Sequence, residues 1–127
     1  MEEKLIWKKR VDVFRYVYEC LVNNFNEEEI IKKNIFSDEY CVAIVKYFAS
    51  NHIQITNEIK NLIDSSTWSW ERTKTIVKAI IIAAYCEFKT SNLDKGIIID
   101  QAILNGKYYG EKNDYKFINA ILDKILH

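Results

Sequence analysis

The sequence predicts an all-α domain, and three observations carry that expectation. Its 127 residues contain no proline and only three glycines, Gly96, Gly106 and Gly110, too few turn residues for a sheet-rich fold. Apolar residues recur at intervals of three and four over most of the chain, the spacing of one face of a helix. Hydrophobic residues make up 49% and charged residues 28%, enough apolar material for a core in a single domain of this length.

The first helix is predicted from about Trp7 to Asn24. Val13, Phe14, Val17, Cys20 and Leu21 form its apolar stripe, and Lys4, Lys8 and Arg15 fall on the other side at spacings of four and seven. A short helix is expected over Asn26 to Lys33, with Asn26 as N-cap and Glu27 to Glu29 at its positive end. Ser37 then caps a helix running to about Ser50 that buries Cys41, Ile44, Val45 and Phe48, and a further helix spans Ile53 to Ile63. Asp64-Ser65-Ser66-Thr67 breaks the pattern. A long helix follows from Trp68 to about Phe88. Its segment Ala79 to Cys86 is apolar almost all round, as in a helix buried on several sides. Asp94 caps a helix from Lys95 to about Tyr108, closed by Gly110. The last helix runs from Asn113 to Leu126, with Phe117, Ile118, Ile121, Leu122 and Ile125 at core spacing. The expected architecture is therefore about seven helices in two packed three-helix-type bundles, residues 1–64 and 65–127, forming one domain.

Charge narrows the function. Eighteen basic residues balance eighteen acidic ones, so any grip on nucleic acid needs a local patch and not a basic surface overall. Lys8, Lys9 and Arg10 offer phosphate-binding charge, and Arg10 and Arg15 carry forked donors. Tyr16 and Tyr18 are flat rings of the kind that stack unpaired bases; Tyr16 lies beside the core stripe and reads as packing, whereas Tyr18 fits either role. Lys107, Lys112 and Lys116 extend the patch if the last two helices lie beside the first.

Other chemistry finds no support. Cys20, Cys41 and Cys86 sit in apolar stretches without a CxxC pair and read as buried thiols in a reducing cytoplasm. His52 and His127 lack ligand-like spacing, so no metal site is expected. Asp100, Asp114 and Asp123 form no dyad, and no Gly-rich phosphate loop or nucleophile elbow occurs; neither an enzyme nor a cofactor is expected. Met1-Glu2-Glu3 opens with acid, unlike a signal peptide, and the longest apolar run is too short for a bilayer. Trp68 and Trp70 are expected on different sides of a helix, one anchoring the bundle interface, and Arg72 is expected to pair with Glu71 or Glu87.

Several segments in register resemble the NusB family. They are Trp68 with Arg72 four residues on, Ala79 to Phe88 with Glu87, and Ile99-Asp100-Gln101-Ala102. Lys107, Gly110, Phe117-Ile118-Asn119-Ala120 and Leu122-Asp123 follow. Lys8-Lys9-Arg10 followed by Val13 to Tyr18 looks like the family's basic opening helix. Ile82, Gln101, Asp94 and Ala120 stand where the family pattern has Arg, Glu, Pro and Gly. The resemblance implies a non-enzymatic, RNA-binding transcription antitermination factor. Its partners would be boxA-type single-stranded RNA of ribosomal RNA leaders, the ribosomal protein NusE, and RNA polymerase with other Nus factors. Family members occur as monomers and dimers, so a homodimer is compatible. The implied RNA-binding residues are Lys4, Lys8, Lys9, Arg10, Arg15, Tyr18, Lys116 and Asn119. Asn119 fits either a base edge or a neighbouring backbone group. The alternative is a protein–protein interaction module on the same fold with weak or no RNA binding.

Overall fold

A computed structural model describes the backbone of residues 2–23 and 38–127 and the side chains of residues 7–23 and 38–127. The described residues form five helices and no strand: α1 Glu2–Val22, α2 Glu39–Asp64, α3 Thr75–Thr90, α4 Lys95–Tyr109 and α5 Asp114–Ile125. The all-α class stands. The short helix expected over residues 26–33 and the Ser37 cap lie outside the described residues.

Helix α1 begins at Glu2, a turn and a half before the expected start. It ends at Val22, where the Asn23 backbone N–H and its Nδ2 both donate to Glu19 O, at 3.0 and 2.9 Å. Helix α2 is capped by Asp38, whose Oδ1 accepts from the Cys41 N–H at 3.2 Å.

The two helices expected over residues 37–63 are one helix of 26 residues. Its buried residues Cys41, Ile44, Val45, Phe48, Ile55, Ile59 and Ile63 keep one stripe through the expected break, because Phe48 to Ile55 is seven residues, two full turns. Asn51 Nδ2 donates to Tyr47 O at 2.9 Å, and His52 Nδ1 lies 3.1 Å from Ala49 O. These polar side chains are satisfied on the helix itself, and without Gly or Pro nothing interrupts it.

The opposite correction applies after Asp64. Residues 65–74 are turns, and α3 starts at Thr75, seven residues after the expected Trp68. Side chains win the backbone groups here. Asp64 Oδ1 accepts from the Trp70 N–H at 2.8 Å, and Thr73 Oγ1 donates to Ser69 O at 2.7 Å. The two tryptophans therefore lie on a turn and not on a helix. Trp68 is half-exposed with its ring against Phe117 at 5.0 Å, and Trp70 packs on the core with the Lys78 ammonium 4.3 Å above its ring.

Helix α3 is the hub. Residues Ala79 to Glu87 are all buried, as the apolar run predicts, and α1, α2, α4 and α5 all pack against it. The resulting hydrophobic cluster is continuous across both halves of the chain. Cys20, Cys41 and Cys86 are buried and form no disulfide. Among the described residues no helix is long and apolar enough to cross a membrane.

Helices α4 and α5 approach closely at Gly106. A Cβ built there would lie 2.7 Å from Ile118 Cδ1 and 3.3 Å from Tyr115 Cα, so glycine sets the spacing of the pair. The link between them is tied by Gly110 N–H to Gly106 O at 2.9 Å and by the Glu111 N–H to Asp114 Oδ2 at 2.7 Å. Asp94 precedes α4 as expected, but its side chain makes no capping bond; its carbonyl accepts from Ile97 and Ile98.

Candidate nucleic-acid interface

The core stripe of α1 fixes the helix's rotation. Val13, Phe14, Val17 and Cys20 are buried, which turns Lys8, Arg15 and Tyr18 outward. These three repeat at seven and three residues and share one side with the backbone position of Lys4, whose side chain lies outside the described residues. Lys8 and Arg15 are exposed and make no ion pair with any described residue. Tyr18 keeps 37% of its surface in water, enough for a face to meet a ligand, whereas Tyr16 is buried packing.

Lys9 is half-exposed, and its Nζ lies 2.8 Å from Asp38 Oδ2. The shared hydrogen bond holds the Lys9 ammonium above its ordinary value and the Asp38 carboxyl below its own. Its charge is thus partly answered within the protein.

Arg10 does not face solvent, contrary to its assignment as a phosphate fork. Its Nε donates to both Glu87 oxygens at 3.0 Å, and the two side chains are only 11% and 6% exposed. The Tyr40 hydroxyl donates to the same carboxylate. Burial and that bond both push the Tyr40 phenol up. The physical reason is Glu87: a carboxylate buried in the hub helix needs a counter-charge. Position 10, four residues before Phe14 and seven before Val17, points there. Glu87 is thus taken by Arg10 and not by Arg72, which is exposed and makes no ion pair with a described residue.

Lys116 and Asn119 are exposed on α5. Helix α1 packs chiefly on α3 and α2, while α5 packs on α4, α3 and α2. No hydrogen bond, ion pair or ring contact among the described residues joins Lys8, Lys9, Arg10 or Arg15 to Lys116 or Asn119. In sequence Lys116 and Asn119 flank Phe117, which with Trp68, Arg72 and Lys112 lines a groove. Lys74 at that groove is committed to Glu111 and Asp114 at 2.9 and 3.2 Å.

Pattern reading missed an aromatic cluster at the start of α1. Trp7 Nε1 donates to Asn105 Oδ1 at 3.1 Å, and the indole meets Tyr108 edge-on at 5.4 Å and Tyr109 near-parallel at 6.4 Å. The signal was present: two consecutive tyrosines at a helix end cannot both face the core. Chemically the surface offers exposed cations and accessible rings, the two elements of single-strand recognition.

Residues 8–127 match the model of the NusB family. The chain is 37% identical over 130 residues to the transcription antitermination protein NusB of Borreliella afzelii, covering 92% of this chain and 93% of that protein. The same-named protein of Borreliella burgdorferi is 32% identical, with 92% and 90% covered. A solved structure of T. maritima NusB superposes with a TM-score of 0.77, over 94% of this chain and 89% of that one, at 23% identity, which is a shared fold.

Proposed function

This chain belongs to the NusB family, and from that premise we propose that it acts in transcription antitermination by binding boxA-type single-stranded RNA together with NusE. RNA polymerase with other Nus factors completes the assembly in this reading. The observation that carries it is the outward side of α1, where Lys8, Arg15 and Tyr18 stand exposed on one stripe and the two cations make no ion pair with a described residue. Two phosphate contacts and one stacked base make a modest RNA site on a neutral protein. A second surface that engages a protein partner turns modest affinities into a useful joint one.

The commitment of Arg10 to Glu87 and of Lys9 to Asp38 favours a second reading, an interaction module without RNA binding. One titration separates the two: boxA-type RNA against this protein, with and without NusE, for the wild type and for Lys8→Glu with Arg15→Glu. RNA binding lost on charge reversal supports the first reading. No RNA binding under either condition, with NusE binding retained, establishes the second.

A further inference from the structure

We propose that Trp7 and Tyr108 form a stacking platform for one unpaired base of a bound RNA strand, at the amino-terminal end of the α1 cation stripe. The inference rests on the RNA reading above and adds a subsite to it. Tyr108 is 72% exposed, more than any other large hydrophobic side chain among the described residues. A single exposed ring needs no explanation. This one belongs to a cluster: it meets the Trp7 indole at 5.4 Å and 72°, and the Tyr109 ring at 5.0 Å.

The indole is held from within. Its Nε1 donates to Asn105, a buried side chain, and Phe14 of the core touches Tyr109 at 5.2 Å. The platform is therefore formed before any ligand arrives, and little side-chain freedom is lost on binding. Cations flank it in the chain. Lys8 follows Trp7 and is exposed, while Lys107, which precedes Tyr108, holds its ammonium 4.8 Å from the centre of the Tyr115 ring. A π-face next to an exposed cation suits a strand that alternates phosphates with flat bases. Leu104, one turn before Tyr108, is also exposed, so a protein contact is the occupant the test must separate.

The experiment titrates the full chain with a boxA-type single-stranded RNA, intact and with single abasic positions. Tyr108→Ala is expected to weaken binding fivefold or more without changing its salt dependence, because the ring carries no charge. Tyr108→Phe keeps the affinity, and one abasic position weakens the wild type but not Tyr108→Ala. If Tyr108→Ala binds RNA as the wild type does while Lys8→Glu does not, the platform is wrong and the RNA reading stands. If the variant loses only the protein partner, the surface is a protein contact and the inference is overturned. If the wild type binds no RNA, both fall together.

Discussion

Arg10 and Lys8 sit two residues apart and have opposite fates, and the difference is measurable. Breaking the Arg10–Glu87 pair leaves a carboxylate buried in the hub helix with the Tyr40 hydroxyl as its one remaining side-chain partner among the described residues. Arg10→Ala is expected to destabilise the fold by about 3 kcal/mol, whereas Lys8→Ala stays within about 0.5 kcal/mol. Urea unfolding of both variants checks this. A double variant, Arg10→Met with Glu87→Gln, recovers part of the loss, since no charge is then stranded. The inward turn of Arg10 was legible in principle. Three consecutive helical residues span more than half a turn of the helix, so Lys8, Lys9 and Arg10 cannot share one face. Arg10 keeps the spacing of Phe14 and Val17, and Glu87 is the one acid in the apolar α3 segment. What the sequence does not reveal is which cation on which helix meets that acid, because the pairing spans 77 positions.

At the level of elements, periodicity located most helix interiors well and misplaced boundaries where side chains compete for backbone groups. Asp64, Ser66 and Thr73 capture the turn after α2, so the helix that the tryptophans suggested starts later. Asp38 and Asp64 serve two such junctions. The Lys9 ammonium and then the Cys41 N–H hold the Asp38 carboxyl below its ordinary value near 3.8. The Trp70 N–H and then Lys60 do the same for Asp64. A depressed folded-state pKa contributes stability that is present above the unfolded value and lost as pH falls through the folded one. The urea midpoint is therefore expected to fall as pH drops below about 4, and more shallowly for Asp38→Asn with Asp64→Asn. The α4–α5 contact gives a further test. Gly106→Ala forces a methyl group against Ile118 and the Tyr115 backbone, and is expected to destabilise the fold by roughly 1–3 kcal/mol in a thermal or urea melt.

At the scale of the whole molecule, neutrality and fold together constrain how RNA is held. The fold class and the hub role of α3 follow from the proline-free, glycine-poor composition and the all-round apolar run. The extent of the RNA surface does not, because it depends on which cations the fold consumes internally. With Arg10 consumed and Lys9 partly so, Lys8 and Arg15 remain among the described side chains of α1, and Lys116 stands exposed on α5. Each phosphate contact on a single strand contributes about −0.7 to the slope of log affinity against log salt. Under the proposed function that slope is about −1.4 if the strand touches only Lys8 and Arg15, and about −2 if it also reaches Lys116. Lys116→Ala decides between them, since it flattens the slope only when the strand also contacts α5. A slope near −5 or steeper would mean many more phosphate contacts than Lys8, Arg15 and Lys116 supply, and would move the binding face elsewhere on the molecule.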